Sequence, residues 1–77
     1  MVKQFSGLNQ VVATNLRRLR KESEISQEGL AAKCGLHRTY VGAIERSERN
    51  ITLQTLEKLA DSLDISPHAL LQSRPDV

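Results

Sequence analysis

Hydrophobic residues recur every three or four positions along most of the chain, which is the spacing of amphipathic helices. Short stretches of polar residues and glycine separate five such runs, and no stretch alternates convincingly between hydrophobic and polar residues, as a strand would. The runs predict helices over about residues 8–22, 27–34, 38–46, 53–63 and 67–72. The predicted fold class is therefore all-α, a compact five-helix domain.

The first and fourth runs each have a hydrophobic face that we expect to point into the core. The residues on these faces are Leu8, Val11, Val12, Leu16 and Leu19 in the first helix and Leu53, Leu56, Leu59, Ala60 and Leu63 in the fourth. Thr52 is a candidate N-cap for the fourth helix. Ser66 followed by Pro67 is a specific signal for a new helix, because serine caps helices and proline is favoured at their first position.

The second and third runs lie in the segment QEGLAAKCGLHRTYVGAIER, residues 27–46, which has the pattern of two short helices joined by a tight turn. Gly35 follows the last hydrophobic residue of the second helix, and glycine ends a helix without strain in the left-handed conformation. Ser26 can cap the second helix, and His37 or Thr39 can accept hydrogen bonds from free amides of the third. The residues placed at the contact between the two helices are Leu30, Ala31, Cys34, Leu36, Val41 and Ile44. These features predict a helix-turn-helix.

The chain has 77 residues, of which 39% are hydrophobic, and this fits one compact domain. We place that domain at residues 8–72, between a flexible lead-in at residues 1–7 and a frayed tail at residues 73–77. No window approaches the roughly 20 apolar residues of a membrane span, and the N-terminus lacks the apolar region of a signal peptide. A soluble cytoplasmic protein with no membrane partner is therefore expected.

Charge is unevenly distributed along the chain. Residues 1–50 carry nine Lys or Arg against five Asp or Glu, whereas residues 51–77 carry two against four. Because the basic part contains the helix-turn-helix, this asymmetry favours a domain that presents one face to phosphate groups. We expect Arg17, Arg18 and Lys21 to form a solvated face of the first helix.

Three side chains with catalytic potential, Cys34, His37 and Glu45, lie close together in the sequence. Helical geometry directs Cys34 toward the core and places His37 in the turn, so the three would not converge on one cleft. The chain has neither metal-ligand spacing nor a phosphate-binding glycine loop. We therefore expect no enzyme activity, no cofactor and no metal.

Three segments together resemble the lambda-repressor/Cro-like helix-turn-helix family, also called XRE: LRRLRKE, SQEGLAAKCGLHRTYVGAIERSERN and LQTLEKLADSLDISPHALL. Within that family, RTYVGAIERSERNITLQTLEKLADSL is similar to the controller proteins of restriction-modification systems, which share the Arg-Thr-Tyr start of the third helix. The resemblance implies a sequence-specific regulator of transcription that binds double-stranded DNA as a homodimer, at a two-fold symmetric operator.

In such folds the third helix lies in the major groove and the second crosses the phosphate backbone. Arg38, Thr39 and Tyr40 would lie nearest the base edges, and Tyr40 would offer its phenol to a phosphate or its ring to a thymine methyl. Phosphate contacts are implied for Gln27, Arg46, Arg49 and Asn50. Arg38 would offer a bidentate fork to guanine, and Gln27 would bind phosphate through its side chain and its amide at a helix N-terminus. Gly42 and Ala43 would leave space for the groove wall.

The resemblance also implies a structural ion pair between Arg20 and Glu45 that ties the first helix to the third. A homodimer is expected because one module buries only about 600–1,000 Å² on DNA, which is too little for strong specificity. The candidate dimer surface consists of Leu63, Ile65, Leu70 and Leu71. A bound dimer would block RNA polymerase or contact it beside a promoter, and would regulate its own gene.

Two other functions fit the same pattern. An antitoxin would bind a toxin through residues 51–77 and use the same fold on DNA, and a phage-type repressor would differ mainly in its genomic setting. The neighbouring gene distinguishes them, because restriction and methylation enzymes favour a controller and a small toxin favours an antitoxin.

Overall fold

In a computed structural model, which describes residues 7–73, the chain folds into five helices. They are α1 (Gly7–Glu22), α2 (Gln27–Cys34), α3 (Arg38–Glu45), α4 (Leu53–Ser62) and α5 (Pro67–Leu71). Residues 7–73 contain no strand, so the all-α prediction is confirmed, and each helix end lies within one residue of its predicted position. Apart from Gly7, which belongs to α1, and Ser73, the expected lead-in and tail lie outside the described residues.

Helices α2 to α5 each follow a polar residue at the N-cap position. The hydroxyls of Ser26 and Thr52 each accept a hydrogen bond from the backbone amide three residues later, at 2.9 and 3.0 Å. At α3 the cap is His37, whose Nδ1 accepts from the amide of Thr39 at 3.2 Å. Ser66 precedes α5 as predicted, but its hydroxyl makes no hydrogen bond to the backbone of that helix. Three of these helices therefore start where a side chain satisfies an amide that has no partner within the helix.

The first four helices end in a common way. After each helix, one residue takes the left-handed conformation, with φ between 59° and 70°; these residues are Glu24, Gly35, Ser47 and Asp64. The amide of the next residue then donates to a carbonyl five positions earlier, at 2.9–3.3 Å. Only the turn at Gly35 was predicted, because only glycine adopts this conformation without steric cost. The hydrogen bonds that close the other turns offset that cost.

The core is aliphatic and draws on all five helices. Its buried members are Val12, Leu16, Leu30, Ala31, Cys34, Val41, Ile44, Leu56, Leu59, Ala60, Leu63 and Leu70. Helix α1 packs against α3 and α5, while α4 packs against α2 and α5. The contact of α2 with α3 forms the predicted helix-turn-helix. Since these two helices share the core with the other three, their relative orientation is fixed by packing.

Two polar groups inside the core find partners. Asn15 is buried, and its amide donates to the carbonyls of Leu70 and Gln72 at 2.9 and 3.0 Å, so it satisfies the C-terminal end of α5. Periodicity did not single out Asn15, because its partners lie 55 and 57 positions away. Cys34 is buried as expected, and its Sγ lies 3.1 Å from the Ser62 hydroxyl.

Several hydrophobic residues do not lie where the sequence pattern placed them. Leu8 and Leu53 were expected in the core but are 50% and 79% exposed, because each lies in the first turn of its helix, beyond the residues that cover the rest of the helical face. Leu63 was expected on the inner face of the fourth helix and is buried there; since Leu70 is buried as well, neither side chain is free on the monomer for the candidate dimer surface that included both. Within residues 7–73 no helix is long and apolar enough to cross a membrane.

Candidate nucleic-acid interface

A buried ion pair joins α1 to the end of α3. Arg20 donates to the Glu45 carboxylate through Nε at 2.6 Å and Nη2 at 3.1 Å, and Glu45 is only 2% exposed. The remaining guanidinium nitrogen donates to the carbonyl of Ile25 at 2.8 Å. The Gln27 side-chain amide donates to the same carboxylate at 2.9 Å. Glu45 therefore links α1, the start of α2 and the end of α3.

Two cations of α1 that were expected to be solvated take part in structure instead. Arg17 Nη1 donates to the backbone carbonyl of Glu45 at 2.5 Å, so it caps the C-terminal end of α3. Arg18 donates to the side chain of Asn15 at 3.2 Å and lies 3.7 Å from Glu22. Lys21 is exposed as predicted, whereas Arg17 and Arg18 are half-buried.

The outer face of α3 carries the residues implied at base edges. Arg38 and Thr39 are exposed in the first turn, and Arg38 makes no hydrogen bond or ion pair with any described residue. One turn further along, Ala43 is half-buried. A shallow depression brings this face together with the loop that follows α3; it is lined by His37, Thr39, Tyr40, Ala43, Arg46, Glu48 and Arg49. We call this set the α3 depression.

Tyr40 lies between the core and this surface. Its ring packs against the core, and the Arg49 guanidinium lies 5.3 Å from the ring centroid, a cation–π contact. Asn50, which follows Arg49, accepts a hydrogen bond from the side chain of Asn9 at the start of α1. The loop carrying the predicted phosphate contacts is therefore attached to both α3 and α1.

Gly42 was expected to leave space for the wall of the groove, but it does not face outward. It is buried, and a Cβ built on it would lie 3.2 Å from Arg46 Nη1 and 3.4 Å from Gln27 Oε1. The missing side chain makes room for these two long polar groups rather than for the wall of a groove. Gln27 and Arg46, both implied at phosphates, are thereby brought side by side over α3.

Glu48 is an acidic residue in the α3 depression that the sequence-based interpretation did not include. Its carboxylate accepts a hydrogen bond from Arg46 Nε at 3.1 Å. That hydrogen bond lowers the pKa of Glu48 and raises the pKa of Arg46, because it favours the charged form of each group. The signal was present as the acid two residues after Arg46, but a loop charge alone does not show which surface it joins.

The arrangement offers hydrogen-bond donors and positive charge on one exposed face. Arg46 and Arg49 supply guanidinium groups in the α3 depression, Arg38 is exposed in the first turn of the same helix, and the free amides at the start of α2 add the positive end of a helix dipole. Among the described residues, no three His, Cys, Asp or Glu side chains are placed to hold a metal ion. The chemistry of this face is that of a surface which recognises an anion.

Comparison with known proteins identifies the family. Residues 16–70 match the model of a helix-turn-helix family. The control protein C.SmaI of Serratia marcescens is 48% identical over 67 residues, a match that spans 87% of this chain and 80% of that protein.

Two solved structures are also similar. The hypothetical transcription factor NHTF from Neisseria has 42% identity and a TM-score of 0.84 over 94% of this chain and 83% of that one. The restriction-modification controller protein C.Esp1396I, solved as a tetramer with its natural 35 base-pair operator, has 35% identity and a TM-score of 0.77 over 88% of this chain and 87% of that one. The chain belongs to the helix-turn-helix family of the lambda-repressor/Cro (XRE) type, and its relatives include restriction-modification control proteins.

Proposed function

We propose that this protein is a homodimeric transcriptional regulator that binds a specific double-stranded DNA operator, of the restriction-modification controller type. The observation that carries the proposal is the first turn of α3, where Arg38 and Thr39 are both exposed and Thr39 shares the α3 depression with Arg46 and Arg49. An α-helix fits the major groove, and the N-terminal residues of such a helix contact base edges. The relatives described as control proteins support the controller type.

The two groups of residues have different tasks in this proposal. Arg38 reads a guanine through its free guanidinium fork, and Thr39 offers a hydroxyl or a methyl to the neighbouring base. Arg46 and Arg49 contact phosphates, which fixes the position of the helix without reading sequence. Gln27 contributes its backbone amide at the start of α2, because its side-chain amide already donates to Glu45.

Tyr40 and Asn50 complete the contact surface. The Tyr40 ring is held by the core and by Arg49, so its phenol is a fixed group at the edge of the α3 depression. Asn50 is exposed and steadied by Asn9, which suits a phosphate contact from the loop. Ala43, one turn beyond Thr39, keeps the depression shallow enough for a base edge to approach.

A homodimer is part of the proposal because two half-sites are needed for strong specificity. With Leu63 and Leu70 in the core, Ile65 and Leu71 remain from the predicted dimer surface; Ile65 is half-buried and Leu71 is 36% exposed. Sedimentation equilibrium tests this part directly. A protein that stays monomeric at high concentration and on its operator would overturn it.

The main test is selection of bound sites from random duplexes, followed by affinity measurements on the selected site and on a random duplex. Arg38→Ala should weaken binding to the selected site by about 1–3 kcal/mol and relax one base position. Arg49→Ala should weaken binding to both duplexes alike and lower the salt dependence by about one ion. Lys58→Ala removes a cation of α4 from a groove facing α5 and should change neither affinity.

If Arg38→Ala, like Arg49→Ala, lowers the affinity for both duplexes equally, the assignment of base contacts to α3 is contradicted. The regulator type has its own test, which is the position of the selected site and the identity of the neighbouring gene. A site upstream of the protein's own gene, beside genes for restriction and methylation enzymes, is the expected result. A small toxin gene in that place would favour the antitoxin.

A further inference from the structure

One of the four helix-ending turns differs from the others in a way that packing does not explain. After the left-handed residue, three turns place an aliphatic residue against the core: Ile25, Leu36 and Ile65. The turn after α3 has Glu48 at the same position. Its amide makes the same backward hydrogen bond, to the Ala43 carbonyl at 2.9 Å, but its side chain is exposed.

The backbone therefore holds Glu48 in a defined place while its side chain contributes nothing to the core. That place is the α3 depression, together with Thr39 and Ala43. The carboxylate is further held by Arg46 at 3.1 Å. A base edge that approaches Ala43 between the first turn of α3 and the loop meets a hydroxyl on one side and a carboxylate on the other.

A carboxylate on this face has a cost that depends on the DNA sequence. It repels phosphates of any duplex, and it loses hydration as the groove closes over it. Only a base that donates a hydrogen bond offsets that loss. Cytosine N4 and adenine N6 both donate in the major groove, but adenine also presents its N7 acceptor beside the amino group, so a carboxylate of Asp or Glu pairs with cytosine. Glutamate is ionised at neutral pH, and the hydrogen bond from Arg46, which lowers the pKa of Glu48, favours that charged acceptor further.

We propose that Glu48 is a specificity-determining residue, whose carboxylate accepts a hydrogen bond from a cytosine amino group in the operator and disfavours duplexes that lack it. The proposal rests on the proposed function, since it requires α3 to enter the major groove. It assigns Glu48 a discriminating role, achieved by penalising the wrong sequences as much as by binding the right one. Arg46, held through Nε, keeps its other two nitrogens for a phosphate.

The test compares Glu48→Gln with the wild type and with Glu57→Gln. Both variants remove one exposed negative charge, but Glu57 lies on α4, in a groove facing α5, outside the α3 depression. Because Glu48 is exposed and supports α3 through its backbone amide, the variant should keep the wild-type melting curve by circular dichroism. Affinities are measured by fluorescence anisotropy on the selected operator and on a random duplex of equal length, at two salt concentrations.

Glu48→Gln should bind the random duplex more tightly and gain less, or lose, on the operator, so that the ratio of the two affinities falls about tenfold. Sites selected by this variant should lose one cytosine that the wild type prefers. Glu57→Gln should leave the ratio and the selected site unchanged.

Three results would overturn the proposal. Equal gains on both duplexes would mean that Glu48 acts only through net charge, and unchanged affinities would mean that it stays solvated. Relaxation only at base pairs where the wild type selects no cytosine would show that Glu48 has a different role. In each of these cases the proposed function stands as long as the wild type still binds its operator more tightly than the random duplex. A wild type that binds the two duplexes equally would overturn both the role of Glu48 and the proposed function.

Discussion

Removing the buried carboxylate with Glu45→Ala should destabilise the fold far more than removing any surface charge. The substitution deletes the acceptor of three hydrogen bonds, two from Arg20 at 2.6 and 3.1 Å and one from Gln27 at 2.9 Å. It leaves a guanidinium whose side chain is only 12% exposed without its counter-ion. Loss of one partner of a buried pair costs roughly 3–5 kcal/mol, because the remaining charge is not solvated.

The structure places this variant near the lower end of that range. Arg20 keeps its hydrogen bond to the carbonyl of Ile25, and its small exposed fraction lets water reach part of the guanidinium. We therefore expect a loss of about 3 kcal/mol in the free energy of unfolding. With a urea dependence of about 1 kcal/mol/M for a domain of this size, the midpoint of unfolding should fall by about 3 M.

The measurement is urea unfolding followed by circular dichroism, at one fixed protein concentration because the stability of a dimer depends on it. Glu22→Ala is the matched control: it breaks the exposed pair with Arg18, which spans 3.7 Å, and should cost no more than about 0.5 kcal/mol. Arg20→Met combined with Glu45→Leu removes both charges and should recover at least about 1 kcal/mol relative to Glu45→Ala. If Glu45→Ala costs no more than Glu22→Ala, or if the double variant recovers nothing, the pair does not hold α1 and α3 together in the way described.

Two further predictions concern helix ends. Gly35→Ala should lower the free energy of unfolding by about 1–2 kcal/mol through backbone strain alone, because φ is +70° and nothing lies within 4 Å of the added Cβ. Gly35→Asn should cost less. Equal thermal melting of Gly35→Ala and the wild type would contradict this prediction. Asn15→Ala should lower the free energy of unfolding by about 2 kcal/mol and speed hydrogen exchange in α5, because the carbonyls of Leu70 and Gln72 lose their donor. Thr14→Ala changes the neighbouring, exposed position and should leave exchange in α5 unchanged. Unchanged exchange in Asn15→Ala would mean that α5 is held by its hydrophobic contacts alone.

Much of the fold followed from local patterns in the sequence. Helix periodicity, the caps at Ser26 and Thr52 and the glycine turn at Gly35 all act within about four residues along the chain, so the residues themselves specify them. The left-handed turns at Glu24 and Ser47 gave no such signal, since neither residue favours that conformation. They form where the chain turns between packed helices, and backbone hydrogen bonds close them.

The candidate site, like the fold, has some features that the sequence determined and others that only the tertiary structure decided. The order of residues determined that Arg38 and Thr39 begin a helix, and family resemblance supplied the pairing of Arg20 with Glu45. Which face each side chain joins was decided only by the tertiary structure, because that depends on neighbours distant in the chain. Packing of α2 on α3 turned Gly42 inward and directed the Gln27 amide to Glu45, and closure of the turn after α3 placed Glu48 in the α3 depression.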